Sequence, residues 1–307
     1  MRTKSRALAM LMFGAAVLGF APILARLTDT GPAAGAFWRL LFAAPLLALL
    51  AFRPGAGGPD ESARPNRWAL AAGVFFALDL GFWHYGLRLT SVANATVLTN
   101  LTPIVVTTAA WLLFRERPRR LFIAALALAV GGAVLMALAK GSGGRGTNPP
   151  LGDALSTLTA LWYGGYFLLV RQARERHSAT GVMFWSGAVG APLLLLAAML
   201  LGEDLRPDTA AGWSACAALG LVHVAGQGSI AWALGRLPTA LASVTVLVQP
   251  VVAAGIGWLA FSERITPVQA LGAAVLLAGV VLAQASARST TKTGGAPSGA
   301  PPVEKRS

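Results

Sequence analysis

Residues 87–117 read LRLTSVANATVLTNLTPIVVTTAAWLLFRER, and residues 234–264 read LGRLPTALASVTVLVQPVVAAGIGWLAFSER. A shift of 147 positions superposes them without a gap. Ala93, Ala95, Val97, Pro103, Val105, Trp111, Leu112, Phe114, Glu116 and Arg117 then fall on Ala240, Ala242, Val244, Pro250, Val252, Trp258, Leu259, Phe261, Glu263 and Arg264. The register runs on to Leu135 and Leu282, and it holds upstream, where Phe37-Trp38 meets Phe184-Trp185, Pro45 meets Pro192, Gly73 meets Gly220 and Gly81 meets Gly228. The chain is therefore a duplicated unit of domain size, far longer than a solenoid repeat of about 20–50 residues.

Composition says what kind of unit is duplicated. A mean hydropathy of +0.63, with 55% hydrophobic and 12% charged residues, belongs to the membrane class. The net charge of +13 is spread between apolar runs with no RNA- or DNA-binding signature, so nucleic acid is not an expected partner. Cys216 is the sole cysteine, which excludes a disulfide within the chain and a cysteine-based metal cluster. Arg2, Lys4 and Arg6 precede an apolar run as in a secretory signal. That run continues to Leu24 and further spans follow, so an uncleaved first span is expected.

With about 20 predominantly apolar residues per crossing, spans are predicted at 7–25, 33–52, 68–87, 91–114, 120–139, 151–170, 180–201, 211–234, 238–261 and 267–285. The expected fold is an all-α integral membrane protein, ten transmembrane helices arranged as two inverted five-helix repeats. The first repeat occupies 1–140 and the second 151–285. A Gly-rich linker at 141–150 joins them, and 286–307 is expected to be a disordered tail. Thr266-Pro267-Val268-Gln269 reads as a helix start, with Thr as N-cap, Pro in first place and Gln closing the box. Of the 25 Lys and Arg residues, 18 fall on one side of this layout and 6 on the other, with Arg39 inside a span. Both termini and the tail are thus expected in the cytoplasm, the linker in the periplasm, and the protein in the cytoplasmic (inner) membrane.

Five crossings is an odd number, so the second copy must enter the bilayer upside down relative to the first. Inverted repeats of this type characterise secondary transporters, which place a substrate site near the midplane and expose it to each side in turn. A duplicated membrane scaffold without transport is the alternative.

The five-plus-five plan, Phe37-Trp38-Arg39-Leu40 at the second span, Thr90-Ser-Val-Ala-Asn-Ala-Thr-Val-Leu-Thr-Asn-Leu-Thr-Pro103, and the Trp-x-x-Phe-x-Glu endings at Trp111–Glu116 and Trp258–Glu263 resemble the drug/metabolite transporter superfamily, in particular its EamA-domain branch. The resemblance covers about residues 7–285. It implies a carrier in the cytoplasmic membrane, often an exporter of amino acids or other small metabolites. The family's second-span Arg is Arg39 here, whereas the second repeat has Ser186, so any role for that Arg belongs to one half.

Charged groups at a helix centre cost about 2.5–3.5 kcal/mol on insertion scales, so Asp79 in the third span needs a reason. Phe75, Phe76, Trp83 and Gly86 share its helical face, and Arg39 is placed at a similar depth. Either the two charges form a structural ion pair, or they line a cavity. In the second case Arg39 clamps a carboxylate and Asp79 takes a substrate amine or a coupling proton. His223, with Gln227 one turn on, is either a packed His or a second coupling site. His84 reads as interfacial. Thr96, Asn100, Pro103 and Thr107 share a face of the fourth span, with Thr99 beside it, and Gln249-Pro250 matches them in the ninth. Each proline frees a backbone carbonyl, which suits hinges beside a midplane site or, equally, simple helix packing. Thr159, Trp162 and Tyr166 form an aromatic stripe, read as core packing or as lining for a substrate's apolar body. Glu116 and Glu263 read as caps for the helices that follow.

The candidate substrate-binding set is therefore Arg39, Asp79, Trp83, Thr96, Asn100, Trp162, Tyr166, His223, Gln227 and Gln249. No metal and no cofactor is expected: His residues lack acidic partners at ligand spacing, and no phosphate-binding loop occurs. The function these features support is secondary active transport of small organic metabolites, export above uptake by resemblance, with proton coupling or exchange. A passive facilitator and, more remotely, an intramembrane enzyme are the competing readings. Monomer and homodimer are equally compatible.

Overall fold

The computed structural model describes residues 2–53, 64–90, 92–115, 118–139, 147–261 and 265–289. Regular structure among them is entirely helical: α1 (Arg2–Leu18), α2 (Ala21–Arg26), α3 (Pro32–Ala51), α4 (Arg67–Leu89), α5 (Val92–Thr99), α6 (Thr102–Phe114), α7 (Arg120–Ala139), α8 (Pro149–Ala173), α9 (Ala179–Leu200), α10 (Ala210–Val222), a π-turn (His223–Gln227), α11 (Gly228–Leu234), α12 (Thr239–Val246), α13 (Val248–Phe261) and α14 (Pro267–Ser289). Prolines in the first turns of α2, α3, α6 and α8 explain several starts, since a missing N–H costs nothing there. Asn66, Asn148, Ser178 and Thr209 cap α4, α8, α9 and α10 through their side chains. The box at Thr266 forms as expected: Thr266 N–H donates to Gln269 Oε1 at 3.0 Å and Gln269 N–H to Thr266 Oγ1 at 3.2 Å.

Among the described residues, eight helical segments are long and apolar enough to cross a membrane, so the chain is a multi-pass membrane protein. The expected third and sixth spans, α4 and α8, are 23 and 25 residues long but less apolar than the rest. They lie along each other inside the bundle, with Gly86 against Ser156 and Gly165 against Phe75, and Asp79, Ser156, Thr159 and Tyr166 of the pair are buried in protein. Large apolar side chains such as Leu112, Leu200, Leu221 and Leu259 are exposed around the perimeter, as lipid contact requires.

Four expected spans are not the simple rods the sequence suggested. The first bends at Gly19-Phe20, between α1 and α2. The fourth breaks at Asn100-Leu101, the ninth at Leu247, and the eighth contains the π-turn. The boundaries move as well: α8 begins at Pro149, inside the expected linker, and α14 runs to Ser289, into the expected tail. The Gly-rich 141–146, residues 290–307, and the proposed caps Glu116 and Glu263 lie outside the described residues.

The duplication reappears in three dimensions. The shift of 147 carries α3 onto α9, α5 onto α12, α6 onto α13 and α7 onto α14. Gly132 of α7 lies against Gly272 and Leu276 of α14, and Gly279 lies against Ala125 and Ala129. Higher numbers on one helix meet lower numbers on the other, so the pair is antiparallel. Exchanging each residue for its repeat mate turns Gly132–Leu276 into Gly279–Ala129, a contact that is also present. The pair thus maps onto itself, as helices flanking a two-fold axis do. α3 and α9 behave alike: Phe52, just past the end of α3, meets Phe184 near the start of α9, ring centroids 5.0 Å apart. Phe37, Leu40, Leu41 and Ala44 of α3 also share an apolar groove of about 280 Å³ with their mates Phe184, Gly187, Ala188 and Ala191.

Candidate functional site

The interior between the halves is built from three irregularities. Pro103 cannot donate a backbone hydrogen bond, and the Thr99 carbonyl it leaves free is taken up by Thr102 Oγ1 at 2.8 Å. α5 ends there and α6 restarts. The mate of this break lies between α12 and α13, and the two face one another across a cavity of about 80 Å³ lined by Thr99, Asn100, Tyr163, Ser243, Leu247 and Gln249, among others. The third irregularity is the π-turn, whose mates Phe76–Leu80 are ordinary α-helix. π-turns are rare and frequently occur at functional sites.

Beside the π-turn sits a polar cluster. Arg39 and Asp79 are both buried, and the Arg39 guanidinium lies 5.7 Å from the centroid of the Phe76 ring. Phe76 packs on Tyr166 at 4.8 Å and on His223, its own repeat mate, at 5.3 Å. Tyr163 stacks nearly parallel to Tyr166 at 6.0 Å. Its hydroxyl accepts from Gln227 Nε2 at 3.4 Å, and it lines the adjoining cavity together with Gln249. Arg39 is electrostatically coupled to Asp79, Tyr163 and Tyr166. Among the described residues, however, Arg39 and Asp79 form no direct ion pair; they act on each other through space.

Buried polar atoms are normally hydrogen-bonded. Here eight side-chain atoms in the described residues are buried without a partner: Arg39 Nε, Thr99 Oγ1, Asn100 Nδ2, Thr107 Oγ1, Trp162 Nε1, both ring nitrogens of His223, and Gln227 Oε1. All belong to the elements that converge on this interior. Such a concentration suits a site that takes a polar ligand or ordered water. The larger groove between α3 and α9 lacks this chemistry, being lined by apolar side chains.

The structure therefore brings together Arg39, Asp79, Tyr166, His223, Gln227 and Gln249, with Asn100 at the adjoining cavity. Trp162 reaches the same region through Phe75 and Phe82, at 5.4 and 6.0 Å. Thr96 is half-buried one turn before Asn100. Trp83 is not brought in: its ring partner among the described residues is His84 at 4.8 Å. Sequence reasoning missed Tyr163, which joins the cluster to the cavity. Tyr163 precedes Tyr166 by three residues, a spacing that pointed to the same face.

The helix ends are tied across the halves. Glu203, after α9, caps α3 by accepting from Ala33 N–H at 3.3 Å and Ala34 N–H at 2.9 Å, and it also accepts from the Tyr85 hydroxyl. In return Asp29, from the first half, accepts from Thr209 Oγ1 at the start of α10 at 2.5 Å. At the other end, the His177 ring meets the Asn66 amide at 3.1 Å and the Arg64 carbonyl at 3.0 Å. There Arg174 donates to Ala231 O at 3.0 Å, and burial next to Arg236 pushes its pKa down to about 10. Replacing Glu203 with Ala is expected to remove the α3 cap and cost about 1–2 kcal/mol. A melting temperature in detergent equal to that of the parent would refute the capping role.

Comparison with known proteins agrees with this geometry. A transporter of Archaeoglobus fulgidus described as uncharacterised is 26% identical over 276 residues, which span 90% of this chain and 95% of that protein. The pseudopaline exporter CntI of Pseudomonas aeruginosa is 27% identical over 196 residues, 63% of this chain and 66% of its own length. A solved crystal structure superposes with a TM-score of 0.75 at 19% identity, covering 93% of this chain and 99% of that one, which speaks to the fold alone. The EamA-like transporter family matches twice, over residues 5–138 and 150–284, once in each half. With both halves matched, the chain belongs to the EamA-like transporter family and is a membrane transporter.

Proposed function

We propose that this protein is a secondary active transporter of small organic metabolites such as amino acids, working as an exporter by alternating access between two inverted five-helix repeats. In this reading α4 and α8 complete a set of ten spans, both termini are cytoplasmic, and the chain resides in the cytoplasmic membrane. The observation that carries it is the antiparallel packing of repeat mates α7 and α14 around a pseudo-two-fold axis. A two-fold that relates antiparallel helices is perpendicular to them, so for helices crossing a bilayer it lies in the membrane plane. The unpartnered polar atoms lie where that geometry calls for a substrate. Arg39 holds a substrate carboxylate, while Asp79 and His223 are the groups through which a proton gradient drives the cycle. Export is supported by the name of the Pseudomonas aeruginosa relative.

Two measurements test this. Reporter fusions are expected to place residues 140–146 opposite both termini; a cytosolic reading there would give each half an even number of crossings and end the inverted-repeat reading. Purified protein in proteoliposomes is expected to show saturable counterflow of amino acids, accelerated by a pH gradient. Saturable exchange without pH dependence would make it an exchanger, and flux linear in concentration would make it a passive facilitator.

A further inference from the structure

Resting on the interior as substrate site, we infer that the far end of the substrate carries a neutral hydrogen-bonding group, an amide or a hydroxyl, selected by Asn100 together with Thr99 and Gln249. The cavity between the two helix breaks is separate in character from the Arg39–Asp79 cluster but shares a wall with it. Tyr163 lines the cavity and is electrostatically coupled to both charges. A substrate whose charged head lies at Arg39 and Asp79 therefore directs its remainder past Tyr163 toward the breaks. About 80 Å³ admits roughly two or three waters, or a side-chain end of similar size, and not an aromatic ring.

The two breaks differ in a way that separates ligand recognition from architecture. At the second break the positions equivalent to Thr99 and Asn100 are Val246 and Leu247, both buried, and the helix breaks there all the same. Polar side chains are thus not needed to interrupt the helix. Yet the first break puts Thr99 and Asn100 in the lining of the cavity, and Thr99 Oγ1 and Asn100 Nδ2 are buried there without partners. A substrate ending in an amide or hydroxyl satisfies them. One ending in a hydrocarbon leaves them buried and unpaired, the circumstance in which binding sites discriminate most strongly.

The test compares near-isosteric amino acids, asparagine against leucine and glutamine against methionine, in competitive counterflow with the full chain in proteoliposomes. The amide member of each pair is expected to be preferred by at least about tenfold. Asn100→Leu copies the residue already present at the second break and is expected to reduce the preference to about twofold or less; Thr99→Val, copying Val246, acts in the same direction. Elution profile and melting temperature confirm that each variant is folded, and if one variant fails to fold the other decides. Equal uptake of both members by the parent protein overturns the inference, as does a preference that persists in folded variants, and in both cases amino-acid transport itself stands. Absence of counterflow with all four amino acids overturns the amino-acid reading as well.

Discussion

Arg39→Met is expected to abolish transport and to destabilise the protein by about 3 kcal/mol, and Asp79→Leu added to it is expected to restore stability without restoring transport. Removing one member of a buried charge pair leaves the other uncompensated in a low-dielectric interior, at a cost of about 3–5 kcal/mol. The lower end applies because Arg39 and Asp79 act on each other without direct contact. An apolar replacement of both removes the burden. Transport does not return because the double variant has lost the guanidinium, whose Nε is buried without a partner, as the clamp for a substrate carboxylate. Arg39→Lys is expected to recover little, since an ammonium lacks the planar fork that grips a carboxylate. The readouts are thermal unfolding and initial counterflow rate across the double-mutant cycle. Recovery of transport in the double variant would return the pair to the role of a structural lock.

Gly132→Val is expected to prevent the two halves from closing, whereas Gly131→Val, one residue away, is expected to be tolerated. A Cβ on Gly132 would meet the Gly272 carbonyl oxygen at 2.6 Å and Leu276 Cα at 2.7 Å, while a Cβ on Gly131 meets nothing within 4 Å. Backbone atoms cannot swing aside as side chains do. The α7–α14 contact must therefore open along its length, at a cost of more than about 3 kcal/mol. Gly279→Val, at the symmetry-related position, should behave like Gly132→Val. Expression level and monodispersity in detergent report the outcome. Equal behaviour of Gly131→Val and Gly132→Val would mean that the α7–α14 seam does not hold the halves together.

Much of this was legible in the sequence because it depends on local or periodic signals. The repeat, the segments long enough to span a bilayer and the cap at Thr266 follow from the 147-residue register, from apolar length and from turn chemistry. Asp79 and Arg39 were legible because a charge within an apolar run needs explaining. What escaped depends on relations between segments. The spacing that put Trp83 on the face of Asp79 could not say that its ring would pack on His84. Proline at 103 and 250 marked weak points, but whether a helix bends or ends there is set by what its carbonyls find. The π-turn leaves no trace in periodicity, because its residues are as apolar as their neighbours apart from His223 and Gln227. Tyr163 was overlooked because its importance comes from Gln227, which donates to its hydroxyl, and from the cavity it lines with Gln249, both on other helical segments.

Phe76 and His223 occupy matching places in the two copies and touch each other at the centre, yet one copy is regular there and the other is not. Two first halves joined together would entomb two guanidinium groups and two carboxylates, and two second halves, with Ser186 and Gly226 at those places, would entomb no charge at all. Neither half can stand in for its sibling. The molecule keeps the outline of a homodimer while its electrical centre belongs to one parent, and that gives the bundle an intrinsic polarity that no exchange of halves could reverse.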